Sequence, residues 1–208
     1  MSGRWKCRLL SLLWRLGGAV IAVRYKIVAH GAEQVPETGA VLLLGNHVSW
    51  LDWLLVQLPL RRRVRFMMDK AIYEWRMLNW LFRLGRTIPV SSKASKSAFT
   101  AAEKALRDGE IVAIFPEGGI TRSCRLEKFY RGFEIIASRS DAGVIVPFYI
   151  DGMCGSCWSR GAASRAETKT LLRRRVTVVY GTPIPRRSSA EEVRAHVMHL
   201  KETLAEQT

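Results

Sequence analysis

The sequence predicts an α/β domain with a mostly parallel central sheet flanked by helices, preceded by an N-terminal amphipathic membrane-interface helix. Three observations predict it. From residue 40 onward, short apolar runs alternate with segments of helical period. The runs are continuous Val/Ile/Leu stretches, as strands covered on both faces require, rather than the in/out alternation of a sheet with one wet face. The first 28 residues carry a different pattern, cationic and apolar at helical spacing.

In that first segment Arg4, Lys6, Arg8, Arg15, Arg24 and Lys26 precede any acid, the first being Glu33. Trp5, Leu9, Leu12, Leu13 and Leu16 share one helical face. The longest apolar or glycine stretch runs only from Leu16 to Val23, far short of the ~20 residues that cross a bilayer. An interfacial helix over 1–28 is therefore expected, with a helix packed on its own domain as the alternative. Arg15 inside the apolar region and the lack of a small-x-small site argue against a secretory signal. Residues 29–208 are assigned to one catalytic-sized domain.

Strands are expected at Val41 to Leu44, Val64 to Met68, Thr87 to Val90, Ile111 to Phe115, Val144 to Ile150 and Val176 to Tyr180. Helices are expected at Trp50 to Leu58, Ala71 to Leu84, Lys96 to Arg107, Phe133 to Ser138 and Ala190 to Ala205. Gly152 to Ser164 reads as a loop, and Arg173 to Arg175 and Arg186 to Arg187 as basic edges.

Composition sets the outer limits. With 208 residues, 48% hydrophobic and 25% charged, and only 16 Gly and 7 Pro, the chain is globular rather than collagen-like, low-complexity or disordered. Four cysteines, at 7, 124, 154 and 157, exclude a disulfide-dense scaffold and read as reduced thiols in a cytosol-facing compartment. The net charge of +15 calls for a polyanion: nucleic acid, an anionic membrane surface or a phosphorylated substrate. Seven Trp alongside 24 Arg favour the membrane interface, and no helix-turn-helix, zinc-finger or aromatic RNA-binding pattern supports nucleic acid.

Reactive side chains in such a sheet belong at the carboxyl ends of its strands. Val41 to Leu44 runs into Gly45-Asn46-His47-Val48-Ser49-Trp50-Leu51-Asp52. If Ser49 caps the following helix, Asp52 sits on the first turn and reaches His47, fixing the imidazole through Nδ1 and leaving Nε2 as a base. Such a pair alone is also an ordinary structural contact. Ile111 to Phe115 ends in Phe115-Pro116-Glu117-Gly118-Gly119-Ile120-Thr121-Arg122, where backbone N–H groups at a glycine turn and a guanidinium suit a phosphate. The alternative there is a plain loop with a solvated Arg.

Together, Asn-His-Val-Ser-x-x-Asp and Phe-Pro-Glu-Gly resemble the glycerolipid acyltransferase family that includes 1-acylglycerol-3-phosphate acyltransferase, over about Gly39 to Pro185. The resemblance implies His47 as general base, Asp52 as its partner, and Glu117 and Gly118 in the acceptor site. It also implies Lys70 in the position of a frequent family Lys, and Val146-Pro147 as the block that helps line the site. Arg122 joins Lys70 as an expected phosphate ligand. Where many lysophosphatidate enzymes have Gly-x-x-x-x-x-Arg, this chain has Gly85 to Ser91, with Arg86 and Lys93 nearby. That departure, with Gly-Gly-Ile-Thr after Phe-Pro-Glu, is closer to domains that reacylate lysophospholipids such as 2-acylglycerophosphoethanolamine.

The implied reaction moves a fatty acyl group from an acyl-CoA or acyl carrier protein thioester to a lysophospholipid hydroxyl. It needs no cofactor and no metal, and is expected at the cytoplasmic face of a membrane, peripheral or monotopic, with a bacterial inner membrane as the expected site. No Gly-x-Ser-x-Gly or Walker-type loop offers a covalent or nucleotide route. Other readings are a non-enzymatic basic protein on anionic membranes, or an acyltransferase with a non-glycerol lipid acceptor. A zinc site is a further alternative, because Cys154/Cys157 and His196/His199 each have ligand-like spacing.

Overall fold

Eight strands form one sheet in the computed structural model, which describes residues 18, 23–91, 95–140, 143–160 and 174–207. The strands are β1 (Tyr25–His30), β2 (Val41–Gly45), β3 (Val64–Asp69), β4 (Ile88–Val90), β5 (Ile111–Ile114), β6 (Val144–Asp151), β7 (Arg174–Tyr180) and β8 (Ile184–Pro185). Their order is β1-β7-β6-β2-β5-β3-β4, with β8 paired to β6. The helices are α1 (Asp52–Gln57), α2 (Lys70–Tyr73), α3 (Asn79–Leu84), α4 (Ser95–Arg107), α5 (Gly132–Arg139) and α6 (Ala190–Glu206).

Strands β2, β3, β4, β5 and β6 run parallel, as their continuous apolar runs require. The pairing β6–β7 is antiparallel, and β8 continues that antiparallel edge past a break after Tyr180. β1 lies parallel to β7. The carboxyl ends of β2 to β6 and the amino ends of β1 and β7 therefore share one edge of the sheet.

Strand alternation sorts the core into two layers. Val41, Leu43, Ile111, Ala113, Val146 and Phe148 face α1 with Leu54, Leu55 and Val56. Leu42, Leu44, Val112, Ile145 and Tyr149 face α4, α5 and α6 through Ala102, Phe133, Ile136, Val193 and Val197. A capping box at Ser189 and Glu192 starts α6. At the edge opposite the carboxyl ends, the Arg62 guanidinium donates to Pro36 O at 2.7 Å and Gly109 O at 2.6 Å, closing loops far from His47.

Several expectations change. Tyr25–His30 is a strand, so the sheet domain begins inside the span assigned to the N-terminal helix; Trp5 to Leu16 and the rest of that helix's apolar face lie outside the described residues. The single helix expected over Ala71 to Leu84 is two. Glu74 ends α2, and the chain turns through Trp75 to Leu78, with Asn79 Nδ2 donating to Tyr73 O at 2.6 Å. Arg186 is no free basic edge, since it donates to Ala137 O and Ser140 O. Cys124 and Cys154 are joined in a disulfide rather than reduced, which removes Cys154 as a thiolate ligand and leaves Cys157 exposed. Their loops follow β5 and β6, the two strands that flank β2, and converge, a proximity that a sequence separation of 30 hides.

Candidate active site

The site begins where β2 ends. Gly45 has no room for a side chain, because a Cβ would lie 2.4 Å from Phe148 O. Next, Asn46 continues the pairing with its side chain: Nδ2 donates to Ile150 O at 2.9 Å and Oδ1 accepts from Ile150 N at 2.8 Å. A buried amide satisfied on both sides fixes the direction in which the chain leaves the sheet.

His47 follows, its Nδ1 2.8 Å from Asp52 Oδ2. Asp52 is fully buried, whereas the His47 side chain keeps 21% of its surface exposed. Asp52 Oδ2 also accepts from Val48 N at 2.7 Å and Ser49 N at 2.9 Å, and Oδ1 accepts from Ser49 Oγ at 2.5 Å. Ser49 does not cap α1, because Leu51 occupies that position; its hydroxyl instead orients the carboxylate. With three donors already on this carboxylate, an Nδ1–H of His47 supplies the fourth bond, which leaves Nε2 as the free ring nitrogen. Phe115 stacks on the imidazole at 4.1 Å between ring centres and 15° between planes.

From the carboxyl end of β5, Thr121 N donates to His47 O at 2.8 Å, so the Phe-Pro-Glu-Gly loop is pinned to the histidine's own backbone. Glu117 is buried here. Its Oε1 accepts a long 3.4 Å bond from Glu127 N, and its Oε2 has no partner among the described residues. Burial pushes the Glu117 carboxyl up to about 7, partly offset by backbone N–H groups of Glu127 and His47. Gly118 takes a positive φ of 74°, against the Tyr130 ring.

The remaining expected residues divide. Lys70 opens α2 at the carboxyl end of β3, on the correct edge, with its ammonium 3.6 Å from Glu74 Oε1 and largely solvated. Arg122 is exposed on the β5 loop. Ser91 follows β4 on the same edge, while Lys93 lies outside the described residues. Arg86 is at the opposite edge, paired with Glu110 beside Arg65, and so stands away from His47. Pro147 points the wrong way: it occupies the strand phase of Ile145 and Tyr149 and meets Gly181. The β6 residue that reaches the histidine side is Phe148, whose ring packs on Phe115 at 5.8 Å. His196 and His199 lie on α6, and no group of three metal-ligating side chains occurs among the described residues.

The loop after β6 closes the site from above. Trp50 N donates to Trp158 O at 3.0 Å, Ser49 and Ser159 form a bridge, and the Arg160 guanidinium lies 4.8 Å from the centre of the Trp50 ring. The Cys124–Cys154 disulfide ties this loop to the β5 loop, and Arg174 Nε donates to Gly152 O at 2.5 Å.

A carboxylate-oriented imidazole at the carboxyl edge of an α/β sheet, flanked by a glycine loop, is an arrangement suited to group-transfer and hydrolytic chemistry. Residues 26–151 match the acyltransferase family model, and the chain belongs to that family. It is 25% identical over 125 residues to a chloroplast 1-acyl-sn-glycerol-3-phosphate acyltransferase of Arabidopsis thaliana, covering 58% of this chain and 35% of that one. To the 1-acyl-sn-glycerol-3-phosphate acyltransferase of Borreliella burgdorferi it is 24% identical over 123 residues, covering 58% and 49%. An uncharacterized Mycobacterium leprae protein is 29% identical over 143 residues, covering 62% and 37%. The chain thus spans between a third and a half of the length of these relatives. The crystal structure of the 1-acyl-sn-glycerophosphate acyltransferase PlsC from Thermotoga maritima shares the fold, with a TM-score of 0.73 at 19% identity over 100% of this chain and 84% of that one.

Four contributors were not legible as such in the sequence. Ser49 is expected as a helix cap but orients the Asp52 carboxylate instead, and Asn46 stands inside the motif with no assigned role, although a buried Asn at a strand exit has few partners other than backbone. Phe115 as the ring support and Phe148 behind it depend on sheet register, which local sequence does not show.

Proposed function

We propose that this protein transfers a fatty acyl group from a thioester, on CoA or acyl carrier protein, to the free hydroxyl of a lysophospholipid, with His47 as general base. The observation that carries the reading is the His47 Nδ1 to Asp52 Oδ2 contact of 2.8 Å beneath an exposed ring edge. Family membership and relatives named as 1-acyl-sn-glycerol-3-phosphate acyltransferases support it.

In this mechanism Nε2 takes the acceptor hydroxyl proton as the oxygen attacks the thioester carbonyl. The C–O bond forms, the C–S bond breaks, and the imidazolium returns the proton to the departing thiolate. Asp52 stabilises the imidazolium in between. The Gly118 N–H is spent on Phe115 O, so the Gly119 N–H supports the acceptor headgroup or the carbonyl oxyanion, and Lys70 and Arg122 on the same edge supply cations for a headgroup phosphate. A buried Glu117 carboxyl that is half neutral near pH 7 lowers the repulsion such an anion meets.

Purified protein, acyl-CoA or acyl carrier protein thioester and a panel of lysophospholipids test this directly. Release of free thiol that depends on both acceptor and His47 supports the reading, and thioester hydrolysis indifferent to the acceptor contradicts it. The acceptor is membrane-borne, so the enzyme works at a bilayer surface. No helix among the described residues is long and apolar enough to cross one.

A further inference from the structure

The exposed large apolar side chains of the described residues are not scattered. Val23, Trp75, Met77, Leu78, Trp80, Tyr130 and Trp158 stand out of the surface, and each belongs to a segment that leaves or enters the sheet at the edge bearing His47. Ile135 on α5 is the exception. Trp75 to Trp80 are the turn after α2 and the start of α3, Tyr130 follows the β5 loop, Trp158 follows β6, and Val23 lies two residues before β1. The opposite edge carries Glu37, Arg61, Arg62, Arg86 and Glu110 instead, joined by ion pairs and backbone contacts.

Met77 is 84% exposed, and Trp75 and Trp80 are each 54% exposed, although nothing in the local chain forbids polar residues there. The rings are held in place. Trp75 stacks on Trp50 at 6.3 Å, and Trp50 sits three residues after His47 beneath Arg160. Around them are Lys70, Arg76, Arg83 and Arg160, against two carboxylates: Glu74, which pairs with Lys70, and Asp69, which caps α2. The chain enters β1 at the same edge, directly after Val23 and Arg24.

We propose that the Trp75–Trp80 turn is a membrane-docking surface that inserts Trp75, Met77 and Trp80 into the headgroup region of an anionic bilayer beside the catalytic turn. Indole rings and a flexible thioether ringed by arginines suit that interface, where amphipathic rings take the headgroup level and cations meet anionic lipid. A protein partner would meet the same apolar side chains, but the excess of cations over carboxylates around the turn and the +15 chain favour a sheet of negative charge. The inference rests on the proposed function only for its purpose, which is to hold the His47 edge against a membrane-borne acceptor.

The test uses the full chain with Met77→Cys in a Cys7→Ser/Cys157→Ser background, labelled with an environment-sensitive fluorophore. Vesicles of phosphatidylcholine alone are compared with vesicles containing phosphatidylglycerol. Insertion predicts a blue-shifted, brighter label on the anionic vesicles and quenching by lipids spin-labelled near the headgroup. Trp75→Ser/Trp80→Ser should weaken vesicle partitioning roughly tenfold to a hundredfold. A label that stays silent while the protein pellets with vesicles overturns the proposal, as do undiminished binding by the serine variant and a failure to pellet at low salt. A label that shifts without vesicles as protein concentration rises means a second copy covers the turn, and also overturns it. Acyl transfer to a monodisperse short-chain acceptor is measured on the same protein. Transfer with a silent label removes the docking surface alone, and insertion without transfer removes the proposed function alone.

Discussion

Ser49 Oγ lies 2.5 Å from Asp52 Oδ1, on the carboxylate oxygen that His47 does not use. The serine therefore sets the rotation of the carboxylate and, through it, the plane of the imidazole. Ser49→Ala removes this donor while the Ser49 backbone N–H still reaches Oδ2. The expected cost is about 1–3 kcal/mol in denaturant unfolding, since the hydrogen bond is buried and charge-assisted. The kcat should fall roughly tenfold with acceptor KM little changed, which steady-state kinetics reads.

Asn46 gives a prediction about folding rather than chemistry. Its amide donates to Ile150 O and accepts from Ile150 N, so Asn46→Asp loses the donor and sets a carboxylate against a carbonyl in a buried place. Asn46→Ala leaves both backbone groups unpaired. Either change should cost about 2–4 kcal/mol. A thermal melt checks it, with Asn46→Asp partly restored at low pH, where its carboxyl regains a proton to donate.

Glu117 makes stability pH-dependent in a defined direction. Its folded carboxyl is pushed up to about 7 from 4.5, so the folded state resists losing that proton. Stability from this group is complete below about pH 4.5, and is lost as pH rises through 7. The shift corresponds to about 3 kcal/mol. Glu117→Gln should therefore gain stability relative to wild type as pH rises from 4.5 to 8, in melts run in parallel. A difference that shrinks over that range would show that Glu117 is ionised in the folded protein.

The Cys124–Cys154 bond closes a separation of 30 residues and ties together the two loops that border the site. Loop-closure entropy assigns it about 3–4 kcal/mol. Cys124→Ser, or treatment with a phosphine reductant, should lower the melting temperature and raise acceptor KM, with Cys157 left as a labelling control.

How much of this was legible in sequence follows from range. The β–α alternation, and His47 with Asp52 five residues on, are local patterns, and both appear where expected. β1 was hidden because Tyr25–His30 is a half-exposed strand whose mixture of Lys26, His30 and apolar residues resembles the cationic segment before it. The antiparallel course of β7 and the disulfide depend on which loops meet in space. Pro147 against Phe148 is a matter of one residue of register, which flips a side chain from one layer to the other. The break at Glu74 to Leu78 escaped because its apolar residues keep helical spacing while pointing to solvent.

The central claim is that His47 acts as base and Asp52 acts through it, and a double-mutant cycle on kcat tests it most directly. His47→Ala should cut kcat by roughly 10² to 10⁴, the usual worth of a general base. Asp52→Asn should lose a similar order by favouring the wrong tautomer. Because the two act as a unit, the double variant should be scarcely slower than either single one. A folded His47→Ala protein that turns over at the wild-type rate, or losses that multiply in the double variant, would contradict the account.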